Sequence, residues 1–201
     1  MYKRQVYIDA LTGRKISELN QIKCGSVKGI AKTRYYGDQE ITTDSIAPDL
    51  YLMRDDTRGD GIVTIDFDAN AAEPASDSDN IWEHSHDSEF ERNATADAHY
   101  CTTKYYDMMQ EFFEWDGLDG EGGALISNVN VFGRYFVNAF WNGRATNYGN
   151  GNCIDYGPLT SMTIVGHEFG HGWTQATSDL IYQDESGALN ESISDLSLIH
   201  I

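Results

Sequence analysis

His167 and His171 stand four residues apart in the run TIVGHEFGHGW, with Glu168 beside the first of them. On a helix that spacing stacks both imidazoles on one face, one turn apart. Two imidazoles so placed can meet one zinc ion at about 2.0–2.1 Å. Glu168, rotated off that axis, can reach a metal-bound water and take its proton. The competing reading is a helix with two packed or surface histidines. A catalytic zinc needs a third protein ligand and an open position. The extended pattern HExxHxxGxxH is excluded as its source, because Thr174 and Thr177 occupy the glycine and histidine positions. A glutamate on a following helix is the alternative. GALNESISD offers Glu191, with Asp195 one helical turn further on. An acid there could accept the second N–H of a ligand histidine and fix its tautomer.

These residues need two successive helices and a support. The pattern predicts one helix over about 160–176 and a last one beginning near Ser186. Upstream, VYIDALT (6–12) alternates like a strand and turns at Gly13. Residues 41–68 read mainly as β, with two strands joined around DTRGDG. Residues 69–93 are polar and read as loop. From Thr95 a helix is expected whose apolar face is Ala98, Tyr105, Met109 and Phe112, ended by DGLDGEGG. ALISNVNVF and RYFVNAFWNG read as strands, and 147–152 as a turn. No internal repeat is present.

At 201 residues, 40% of them apolar, the chain can bury one sizeable core or two small ones. No run of eighteen apolar residues occurs, which argues against a membrane span. A net charge of −18 repels nucleic acid and anionic membrane, so neither is expected as a partner. The plain reading of that charge is solubility; the other is carboxylates gathered for calcium. Cys24, Cys101 and Cys153 form no CxxC and read as buried thiols, with a Cys101–Cys153 bridge left open. RGD at 58–60 reads as a turn rather than an integrin motif, and Arg58 rules out an EF-hand loop there. His84 and His86 read as exposed loop residues, His99 as structural.

HEFGH followed by LIYQDESGALNESISD resembles the thermolysin-type neutral metalloproteases, the gluzincins. YLMRDDTRGDGIVTIDF, DAHYCTTKYYDMM and NAFWNGRATNYGNG are similar, in content and order, to the N-terminal lobe of that family, and VYIDALTGRKI to its propeptide tail. The resemblance implies an α+β fold: a β-rich N-terminal lobe of a thermolysin-like zincin carrying the active-site helix. It implies zinc ligands His167, His171 and Glu191, with Glu168 as general base and then as acid to the leaving amine. Tyr182 would hydrogen-bond the developing oxyanion. Asn138 and the backbone of Ala139 would hold extended substrate like an added strand. Asp195 and Asn190 would be hydrogen-bond partners of the ligand histidines. Asp77 and Asp79 fall in a segment similar to one that binds calcium, whereas Thr163 replaces an aspartate of the family's main calcium site. The implied whole is a secreted, monomeric zinc endopeptidase, made with a propeptide and acting on protein and peptide substrates.

The termini fit nothing in that family. GTG TAT AAG AGA CAG encodes MYKRQ when GTG serves as start, and its reverse complement encodes LSLIH, the adaptor-like ends of a sequencing library. The expected organisation is therefore translated adaptor at 1–5 and 196–201, propeptide tail at 6–25, β-rich lobe at 26–160, and active-site helix with the start of a truncated helical lobe at 161–195. A chain lacking that C-terminal helical lobe is expected to be unstable or nearly inactive alone. Two alternatives remain open: a non-catalytic zinc-binding or adhesion module retaining the fold, and a calcium-stabilised structural domain with incidental histidines.

Overall fold

A computed structural model describes residues 3–8, 12–21, 25–68, 73–83, 93–133, 135–152 and 154–200. Strand β1 (Lys3–Ile8) pairs antiparallel with β2 (Lys15–Gln21) in a sheet of their own. The strand expected at 6–12 thus begins earlier, residues 9–11 of it lie outside the described residues, and it has a partner in a stretch with no clear pattern. β3 (Gly25–Thr33) and β4 (Gly37–Ala47) form the longest hairpin, in register from Gly25↔Ser45 to Thr33↔Gly37. β5 (Leu50–Leu52) adds to β4. At Met53, fully buried, the chain leaves that sheet; β6 (Arg54–Asp55) and β7 (Ile62–Asp66) belong to another. The hairpin expected around DTRGDG is present, but its first strand is shared between two sheets. β8 (Ser76–Asp77) and β9 (Ile81–Trp82) close the edges of the first sheet, in the order β8-β5-β4-β3-β9. Of the loop expected over 69–93, residues 69–72 and 84–92 lie outside the described residues, and 76–77 and 81–82 are edge strands of two residues each, too short for alternation to show.

α1 (Ala94–Phe113) lies between this sheet and the next. Ala96 packs with Ala31, Ile41, Met53 and Trp82. Ala98, Cys101, Tyr105, Met108 and Met109 pack with Ile62, Leu125, Val129 and Tyr148. Phe112, expected on the inner face, is 54% exposed, because Met108 and Met109 already fill the last buried turn. The second sheet adds β10 (Leu125–Val129), β11 (Ala139–Trp141) and β12 (Thr146–Tyr148), in the order β11-β12-β10-β7-β6. β10 is parallel to both β7 and β12. Thr146–Tyr148 is thus an interior strand where a turn was expected from 147, and of the strand expected over 134–143, whose first residue lies outside the described residues, three residues are strand. Asn147, polar by type, is satisfied there by Asn128, whose side-chain amide donates to its Oδ1 at 3.0 Å. α2 (Met162–Thr177) and α3 (Asp184–Ser197) follow, with a 3₁₀ turn at Leu198–His200. Two mixed sheets and three helices make an α+β fold, as expected.

Candidate active site

The roll of α2 is fixed by its apolar side. Val165 and Phe169 are fully buried, and Phe169 stacks on Tyr105 of α1 with ring centroids 5.5 Å apart. His167 and His171 consequently face α3. Gly170 lets α3 approach: a Cβ there would stand 2.8 Å from Ser194 Cα. From α3, Asn190, Glu191, Ser194 and Asp195 meet the two histidines.

His171 Nδ1 lies 2.7 Å from Asn190 Oδ1 and 3.1 Å from Ser194 Oγ. His167 Nδ1 lies 2.9 Å from Asp195 Oδ1. Amide and carboxylate oxygens only accept, so these partners assign the proton to Nδ1 in both rings and leave both Nε2 atoms as lone-pair donors. The Nε2 atoms are 3.1 Å apart. Glu191 Oε2 is 3.1 Å from His167 Nε2, and Glu191 Oε1 is 3.7 Å from His171 Nε2. Among the described residues, this is the one cluster of three metal-ligating side chains, with ligand atoms within 4.8 Å of one another. Donors about 2.0–2.1 Å from a tetrahedral ion stand about 3.3–3.4 Å apart. The observed spacings fit an ion of zinc's size and donor preference.

Glu168 is only 7% exposed and lies beside that cluster, and the main-chain N–H of Trp141 donates to its carboxylate. Burial pushes its pKa up to about 7, against the opposing influence of the neighbouring His167 ring; the Glu191 carboxylate adds to the rise and the Trp141 N–H opposes it. A cleft of about 650 Å³ opens between α2, α3 and β11, with Asn138, Ala139, Glu168 and Tyr182 in its wall. Among the described residues β11 is an edge strand, paired only with β12. Gly149 N–H donates to Asn138 O, and Asn142 N–H to Ala145 O. By antiparallel alternation, the main-chain groups of Ala139 and Trp141 therefore point away from β12, towards the cleft. Tyr182 is 66% exposed; its hydroxyl donates to Glu191 Oε1, which raises the phenol's pKa, and its ring stands 5.8 Å from that of His171.

The other residues singled out from sequence lie elsewhere. Asp77 Oδ2 accepts the N–H groups of Asp79 and Asn80, and Asp79 Oδ1 that of Ile81, in the turn between β8 and β9. His99 is fully buried: Nε2 lies 3.0 Å from Thr42 O, and Nδ1 3.0 Å from Thr64 Oγ1. Burial holds its pKa down to about 4, so it is a neutral core residue. Arg58 of RGD pairs with Asp55 and Asp107. Cys101 is a free, buried thiol; Cys24, Cys153, His84 and His86 fall outside the described residues. Ser194 and Gln175 escaped the sequence reading. Both carried a signal: Ser194 is one turn after Asn190, and Gln175 one turn after His171.

A β lobe closed by a helix bearing HExxH has the architecture of a zincin metallopeptidase. A model of the thermolysin metallopeptidase catalytic domain matches residues 28–175, and the chain belongs to that family. It is 35% identical to a bacillolysin from Bacillus cereus, over 87% of this chain and 30% of that protein. It is 36% identical to a thermolysin from Alicyclobacillus acidocaldarius subsp. acidocaldarius, over 94% of this chain and 36% of that protein. Among solved structures, the precursor of protealysin, a metalloproteinase from Serratia proteamaculans, matches with a TM-score of 0.57 and 29% identity, over 68% of this chain and 41% of that one. The chain spans about a third of the length of the curated relatives it matches.

Proposed function

We propose that the whole protein is a secreted zinc endopeptidase, made with a propeptide, whose metal is held by His167, His171 and Glu191. The observation that carries this reading is the convergence of three proton-free donors, two of them imidazole nitrogens with fixed tautomers. Without a cation those lone pairs would repel one another. Zinc, when bound, supplies a Lewis acid for the scissile carbonyl and lowers the pKa of water. The rest falls to the chain's own residues. Asn190, Ser194 and Asp195 hold the rings. Glu168 takes the proton of the attacking water and passes it to the leaving amine; a pKa near neutrality suits both steps. Asn138 and the outward main-chain groups of Ala139 hold an extended peptide as an added strand on β11. Tyr182 donates to the oxygen that gains charge at the scissile carbon.

Substrates are then proteins and peptides, with the propeptide a further partner of the same cleft and the protein acting as a monomer. No described helix is long and apolar enough to cross a membrane. A calcium ion at Asp77 and Asp79 is part of the same proposal; it would use carboxylate oxygens not committed to the turn. The propeptide tail, β-rich lobe and active-site segment expected from sequence are retained as the proposed organisation. The test is casein hydrolysis by the full-length protein. It should vanish on chelation, return with zinc, and fall by about 10²–10⁴-fold in Glu168→Gln. Chelator-insensitive hydrolysis would sink the reading.

A further inference from the structure

His167, His171 and Gln175 recur at four-residue intervals, so Gln175 continues the ligand face of α2 by one more turn. Its Oε1 accepts the indole N–H of Trp141 at 2.8 Å, and its amide nitrogen donates to Gly143 O at 3.5 Å. Trp141 is the last residue of β11, and Gly143 lies in the turn that returns to β12. The same indole is seated on α2 at Gly172, where a Cβ would come within 3.3 Å of its ring carbons Cη2 and Cζ2. The main-chain N–H of Trp141 meanwhile reaches the Glu168 carboxylate.

β11 is short, and among the described residues its one strand partner is β12. Three residues of pairing leave such an edge free to shift relative to α2, yet peptide capture by strand addition needs that edge at a fixed distance from the metal ligands. The contacts from Gln175 and Gly172, with that from Glu168, join it to the helix. We propose that Gln175 is a positioning residue for substrate: it latches Trp141, and with it the free edge of β11, to the helix that carries the metal-binding histidines. This rests on the reading of the cleft as a peptide-binding site. The latch acts on the extended chain of the substrate and not on the metal.

Two probes separate those effects in the zinc-loaded chain: acetohydroxamic acid, which offers only a chelating head, and a hydroxamate carrying a dipeptide, which also needs the strand edge. Gln175→Leu should weaken the dipeptidyl hydroxamate about fivefold, the scale of one lost hydrogen bond, and leave acetohydroxamic acid unchanged. Trp141→Phe keeps the ring but not the N–H, and it should lose as much; the double variant should lose no more than either single one. Gln175→Glu restores an acceptor and should bind like the wild type. Unchanged binding in Gln175→Leu, or additive losses in the double variant, would overturn the latch. A Gln175→Leu loss shared equally by both probes would also overturn it, since the effect would then lie at the metal. Failure of the wild-type chain to bind the dipeptidyl probe more tightly than acetohydroxamic acid would overturn the peptide-cleft reading and the latch with it.

Discussion

At the scale of single residues, the metal site depends on which nitrogen of each histidine carries its proton. Asn190 and Asp195 settle that by accepting at Nδ1. Removing either acceptor, as Asn190→Ala or Asp195→Ala, should lower zinc affinity by about 10–100-fold. Asn190→Ala should cost more, because Asn190 is buried and Asp195 is 76% exposed at its side chain, where water can substitute. Competition against a chelator of known affinity measures both; equal affinities in all three proteins would contradict the assigned tautomers. His167, His171 and Glu168 were legible because their spacing within one helix was enough to place them; Glu191, on the next helix, was legible through the family motif. Ser194 and Gln175 were not read, although each lies one turn from a named residue, because their roles depend on how α2 meets α3 and β11, which that spacing alone does not encode.

At the scale of elements, two joints carry the site. The first is Gly170, which lets Ser194 Cα come close to α2. Gly170→Ala should force the helices apart, costing about 1–3 kcal/mol of stability, and should weaken zinc binding because Glu191 moves with α3. Thermal unfolding with and without zinc reads both effects; a stable variant with unchanged zinc affinity would count against this joint. The second is Asp97 in the first turn of α1, fully buried, whose carboxylate accepts the N–H groups of Arg34 and Tyr35 and faces Thr160 Oγ1. It ties α1 to the β3–β4 turn and to the residues before α2. Burial pushes its pKa up to about 7, against those donors. A folded-state pKa above the unfolded value of about 3.9 means that its contribution is full below about pH 4 and is lost as pH rises through about 7. The wild type should therefore lose more stability between pH 5 and pH 8 than Asp97→Asn does. Urea midpoints at both pH values test this, and identical slopes would refute it. The helices themselves were readable because their apolar periods are long. β12 was not, since Asn147 and Tyr148 look like turn and surface residues until Asn128 and α2 bury them.

At the scale of the whole molecule, α1 is the shared wall between two sheets, and α2 is anchored to it through Phe169 and Tyr105. That sandwich was only half visible beforehand: the pattern of β5 to β7 shows, but the change of sheet at Met53 is a matter of topology. The charge of −18 surrounds this frame and repels itself. Raising ionic strength from about 0.01 M to 0.15 M, where the screening length falls from about 30 to 8 Å, should raise the thermal midpoint; a fall would show that attractive surface pairs dominate. The central claim is that His167, His171 and Glu191 hold one zinc ion. Metal analysis after dialysis against limiting zinc tests it most directly. One zinc per chain is expected for the wild type and for Glu168→Gln, with loss in His167→Ala and Glu191→Ala; no zinc in the wild type, or one retained in His167→Ala, would contradict it.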